Sequence, residues 1–121
     1  MKKEPLIFIE HILKSIERIE KFIKNINKEK IEKDELIQSA VIRQIEIIGE
    51  AVKNLPIEFI TKYPYIEWGE IAGMRDKLIH HYFGVDLEIV WKTIKGDLPK
   101  LKEQIKKILD ESIKKWTPKE K

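Results

Sequence analysis

Residues 73 to 86, "GMRDKLIHHYFGVD", gather an arginine, an aspartate, two adjacent histidines and a tyrosine within three turns of expected helix. Elsewhere the chain is mostly isoleucine and leucine set against lysine and glutamate. The cluster contains a base near neutral pH (His80), a permanent cation with a fork of donors (Arg75) and a hydroxyl (Tyr82). Each residue also has a purely structural reading. Arg75 falls within an apolar stripe and can extend its guanidinium to water. Asp76 and His80, one turn apart, make an ordinary surface pair. Tyr82 falls on the apolar stripe and can be a core residue whose hydroxyl reaches a partner. A metal centre is disfavoured: neighbouring histidines point about 100° apart on a helix, and only His11 remains to complete a set. No cofactor motif accompanies the cluster.

The elements that must position it follow from apolar spacing. Ile12, Ile16, Ile19, Ile23 and Ile26 step by four and three, which predicts a first helix from about Pro5 to Asn25. "NKEKIEKD" reads as a polar connector ending in Asp34, a cap for the next helix. That helix carries Val41, Ile45, Ile48, Val52 and Leu55, with Ala40, Ile47 and Ala51 on one side of the stripe and Ile42 on the other. So wide an apolar arc implies burial on two sides, or a share in an oligomer interface. Pro56 ends it and opens a short helical turn through Tyr63.

A third long helix is expected from near Glu67 to around Phe83, with Gly84 as its left-handed stop and Asp86 as the next cap. Leu87, Trp91, Ile94, Leu98, Leu101, Ile105 and Ile108 then keep step straight through Gly96 and Pro99. This predicts one helix kinked where the Pro99 ring meets the carbonyl of Lys95. No strand pattern or repeat is evident. The expected fold is all-α, an up-and-down bundle of four main helices plus a short one. It forms one domain over residues 1–121, with 114–121 a frayed basic tail.

Composition sets outer limits. A net charge of +3 leans weakly toward an anionic partner, and much of it sits in "SIKKWTPKEK". The absence of cysteine removes disulfides and thiolate metal sites and fits a reducing cytoplasm. Apolar runs fall far short of the roughly 20 residues that span a bilayer. "MKKEPLIFIEHILK" meets Glu4 and Glu10 within its apolar part and reads as the start of a helix, not as a signal peptide.

At "RDKLIHHY", Arg75 to Tyr82, the sequence resembles the RxxxxHxY signature of the HepT toxins, members of the all-helical, mostly ribonucleolytic HEPN superfamily. "AVIRQIEIIGEAVKNL", "IEWGEIAGMRDKLIHHYFGVDLEIVW" and "LPKLKEQI" are also similar to HepT sequences, so the likeness spans nearly the whole chain. The resemblance implies a homodimer whose motif helices meet at a cleft, where RNA is cleaved without a metal. It further implies a type VII toxin–antitoxin pair, in which an MntA-like nucleotidyltransferase antitoxin transfers AMP from ATP onto the motif tyrosine, Tyr82 by position. His80 would then take the 2′-hydroxyl proton, Arg75 would brace the phosphorane, and Asp76 would orient the imidazole. The products would be 2′,3′-cyclic phosphate and 5′-hydroxyl ends. A second reading keeps the chain as a non-catalytic nucleotide- or RNA-binding partner subunit of the nucleotidyltransferase.

One geometrical conflict stands. On an ideal helix Arg75 and His80 are about 140° apart and do not converge on one phosphate. Either the helix unwinds before Gly84, or the two residues meet across a two-fold dimer axis.

Overall fold

The structure is a computed structural model and describes residues 4–80 and 84–116. It is an all-α bundle, as the spacing predicts. Helix α1 (Pro5–Phe22) begins with proline in its first turn, where a missing N–H costs nothing. Its stripe of Ile9, Ile12, Ile16 and Ile19 is wholly buried, each side chain contributing roughly 1.5–3 kcal/mol of hydrophobic stabilisation. The helix ends three residues earlier than expected, because Asn25 takes a left-handed conformation (φ 61°) that turns the chain.

The connector is not merely polar. Asn27 accepts a hydrogen bond from the Lys30 N–H and caps a six-residue helix, α2 (Lys28–Lys33). This helix buries Ile31 almost completely. One apolar side chain among five charged neighbours gave no periodicity to read.

Helix α3 (Glu35–Lys53) starts where Asp34 accepts from the N–H groups of Leu36 and Ile37, as expected. It packs on α1 along one side, and on α5 (Trp68–Ala72) and α6 (Met74–Leu78) along another, which accounts for its broad apolar arc. Gly49 permits the second contact. A Cβ there would stand 2.9 Å from the Ala72 carbonyl oxygen, closer than packing tolerates. Pro56 opens the short α4 (Ile57–Ile60). Phe59, Tyr63 and Trp68 then cluster, the indole N–H donating to the Tyr63 carbonyl at 3.1 Å.

The third long helix does not exist as a single rod. It breaks at Gly73 into α5 and α6 and ends at Leu78, five residues short of Phe83. The chain instead forms a minimal antiparallel ladder, β1 (Ile79–His80) with β2 (Gly84–Val85), pairing Ile79 with Val85 and His80 with Gly84. Gly84 has the left-handed φ expected of it (77°), but in this hairpin and not at a helix stop. The Leu78 carbonyl accepts from the Asp86 N–H at 2.6 Å, so the returning strand replaces the next helical turn. Ile79 and Val85 pack half-buried on the core, an arrangement suited to β-branched side chains.

Asp86 caps α7 (Leu87–Lys92), accepting from the Ile89 N–H, as expected. A π-helical turn (Thr93–Asp97) continues into α8 (Leu98–Trp116) without a break. The wide turn is how the chain absorbs Pro99. The Leu98 N–H reaches back five residues to Thr93, which loosens the backbone where the proline ring would meet the Lys95 carbonyl. Val90 is fully buried, whereas Leu87 and Trp91 of the expected stripe are only half-buried. The frayed-tail expectation is limited by α8, which extends through Trp116; residues 117–121 lie outside the described residues. Among the described residues no helix is long and apolar enough to cross a membrane.

Candidate active site

Arg75 is the second residue of α6. Met74 before it and Leu78 after it are buried and fix the orientation of the helix. Arg75 itself does not enter the core: its side chain is 46% exposed. Its Nε donates to Glu46 Oε2 on α3 at 2.5 Å, and Nη1 lies 3.7 Å from Asp76 Oδ1. The other Glu46 oxygen accepts from Arg43 Nη1 at 3.4 Å. One carboxylate therefore steadies two guanidinium groups, and the Nε edge of Arg75 is pinned while its outer N–H groups keep donor capacity.

The guanidinium borders an open cavity of about 240 Å³ between α3 and the α5–α6 pair, whose rim also carries Glu46, Glu50, Lys53 and Asp76. Gly49 and Ala72, the close-approach pair, lie at its base. A roomier cavity of about 550 Å³ beside Phe8, Pro56 and Phe59 is mainly apolar and has no arginine in its lining. We therefore place the candidate site at Arg75. Among the described residues no group of three His, Asp or Glu side chains is arranged to hold a metal ion.

His80 is placed by its backbone on β1, outside the helix that carries Arg75. The angular conflict of an ideal helix therefore does not apply, because the chain unwinds between the two residues. The one-turn helical spacing expected of Asp76 and His80 does not extend to His80, since α6 ends at Leu78, and Asp76 lies beside Arg75. The side chain of His80, and His81, Tyr82 and Phe83 entirely, lie outside the described residues.

Glu46 is the residue that sequence reasoning missed. Its nearest basic neighbour in the sequence is Arg43, three residues back, which reads as a routine helix-surface pair. Its contact with Arg75 spans 29 residues and leaves no periodic trace.

The arrangement suits recognition of a phosphate by a braced arginine at a solvent-open cleft. Comparison with known proteins gives the family. The ribonuclease HepT-like family matches residues 12–108, which include the whole cluster. A protein of Methanocaldococcus jannaschii named "Gamma-glutamylcyclotransferase and putative RNase" is 53% identical over 92% of this chain, which spans half of that relative's length. "Putative RNase" of Caldanaerobacter subterraneus is 50% identical over 88% of this chain and 96% of its own. "Probable ribonuclease HepT" of Thermococcus cleftensis is 49% identical over 89% of this chain and 98% of its own. No solved structure matches. With its helical bundle, its exposed arginine and this extent of similarity, the chain belongs to the HepT-like ribonuclease family.

Proposed function

We propose that the chain is a metal-independent endoribonuclease acting through Arg75 and His80, and that it is the toxin of a type VII toxin–antitoxin pair. The observation that carries the proposal is the guanidinium of Arg75, held along one edge by Glu46 and open to solvent on the other beside a charged cavity.

In this reading neutral His80 takes the proton from the RNA 2′-hydroxyl; an unperturbed imidazole, with a pKa of about 6.5, is matched to that task. The 2′-oxygen forms a bond to the adjacent phosphorus while the bond from phosphorus to the 5′-oxygen breaks. The departing oxygen gains a proton and leaves as a 5′-hydroxyl, and the other fragment ends in a 2′,3′-cyclic phosphate. Arg75 stabilises the charge that builds on the phosphorane oxygens. Asp76 supports the site through its charge beside Arg75. Because the nucleophile belongs to the substrate, no metal-activated water is required. The active species is a homodimer in which the two motif regions share one cleft. An MntA-like nucleotidyltransferase neutralises it by attaching AMP to Tyr82, adding bulk and negative charge that repel RNA phosphates.

The test is purified protein with a labelled RNA in excess EDTA. Cleavage with cyclic-phosphate and 5′-hydroxyl ends is expected, lost in His80→Ala with helicity retained. A His80→Ala protein that cleaves as fast as the parent would remove the mechanism. For the switch, incubation with the partner nucleotidyltransferase and ATP should add adenylate to the peptide containing Tyr82, as read by mass spectrometry.

A further inference from the structure

Helix α1 carries a second basic feature that plays no part in the chemistry above. His11, Lys14 and Arg18 follow at intervals of three and four and share one face of the helix. Together with Ile47 of α3 they enclose a groove of about 320 Å³. A second cleft of about 230 Å³ follows directly along the helix, lined by Lys14, Glu17, Arg18 and Lys21. Lys14, Arg18 and Lys21, like several other lysines, make no ion pair among the described residues. At the floor of the first groove, Ser15 is fully buried and its hydroxyl has no hydrogen-bond partner. Unpaired cations along one groove suit the binding of phosphates.

The position of the groove is informative. Helices α1 and α6 both pack on α3. Ile47 points to the α1 groove, and Glu46, one residue before it and about 100° round the helix, points to Arg75. Arg43, an exposed residue of α3 that pairs with Glu46, falls between Glu46 and Ile47 around the helix. Two interaxial spacings, at most about 20 Å, bridge groove and cavity. We propose that the α1 groove is a docking track for the phosphate backbone of the RNA strand whose scissile phosphate lies at Arg75. The proposal rests on the ribonuclease reading and assigns binding, not chemistry, to Lys14 and Arg18. One carboxylate, Glu17, borders the track against the three cations Lys14, Arg18 and Lys21, so its net field favours an anion.

The test uses the full chain with Lys14→Gln and Arg18→Gln together, and a 2′-O-methyl RNA that cannot be cleaved. The double variant should bind about tenfold more weakly at low salt, and its slope of log affinity against log salt should be shallower by about 0.7 for each phosphate no longer neutralised. On cleavable RNA, KM should rise while kcat at saturation holds. Unaltered affinity and salt slope would overturn the proposal. So would a change in oligomeric state by sedimentation, which would assign the groove to a second copy of the chain. His80→Ala reports separately: if that variant still cleaves, the catalytic reading fails while the binding comparison still stands.

Discussion

Glu46 on α3 and Arg75 on α6, 29 residues apart in the sequence, meet through a hydrogen bond of 2.5 Å. Both side chains are partly exposed, so the pair contributes at most about 1 kcal/mol to stability. Its value is positional. A guanidinium held by its Nε edge presents its remaining N–H groups in a defined plane.

Replacing Glu46 with Gln keeps an acceptor but removes the charge, and Glu46→Ala removes both. We expect the alanine variant to lower kcat by about tenfold or more, since small misplacements of a positioned group are costly. The glutamine variant should be intermediate and the thermal midpoint nearly unchanged. Steady-state cleavage kinetics beside a melting curve separate positioning from folding; equal kcat in all three proteins would show that Glu46 is not a positioning residue.

Arg75→Lys should behave as an outright removal and not as a conservative change. A lysine cannot both keep the edge contact to Glu46 and offer a planar fork to phosphate. The expected fall in kcat is about 10²–10³-fold, with helicity retained by circular dichroism. Near-normal turnover would mean that only point charge is needed.

Gly49→Ala tests how the site is seated. The new methyl group would meet the Ala72 carbonyl oxygen at 2.9 Å, backbone against backbone, so no side-chain rotation relieves it. Overpacking of this kind costs about 1–3 kcal/mol. The same shift should draw α6, and Arg75 with it, away from Glu46. Chemical denaturation and activity should therefore fall together.

Asp34 gives a pH dependence of stability. The N–H of Ile37 above all, with the Lys30 ammonium and the N–H of Leu36, holds its carboxyl below the ordinary aspartate range. The folded state thus favours the ionised form. The contribution is complete above the unfolded value of about 3.9 and is lost as pH falls through the lower folded value. Asp34→Asn keeps the cap but not the charge, so its thermal midpoint should change less than the parent's on acidification from about pH 5 to about pH 3. Parallel curves would exclude Asp34 as a source of the dependence.

The sequence marked α1, α3 and α8 because they are strongly periodic, whereas the expected helix from Glu67 to Phe83 is broken. Val41, Ile45, Ile48 and Val52 are buried as their spacing requires, and Asp34 and Asp86 cap the helices they precede. Short elements were less legible. Helix α2 rests on a single buried isoleucine, and a two-residue ladder is too short to show alternation.

The region of the cluster shows the division most clearly. Identity, order and spacing from Arg75 to Tyr82 are properties of the chain itself, and together with the flanking segments they pointed to the family and to its chemistry. Whether those residues lie along one helix was decided elsewhere. Gly73 interrupts the helix, the Asp86 N–H captures the Leu78 carbonyl, and Ile79 and Val85 pair across a ladder, half-buried on the core. The link between Arg75 and Glu46 is likewise tertiary, made possible by the absent side chain of Gly49. Local propensity and periodicity act over a few residues and can be read from the chain. The ending of a helix against its own apolar pattern, and a contact across 29 residues, depend on packing energies that exist only once distant segments have met.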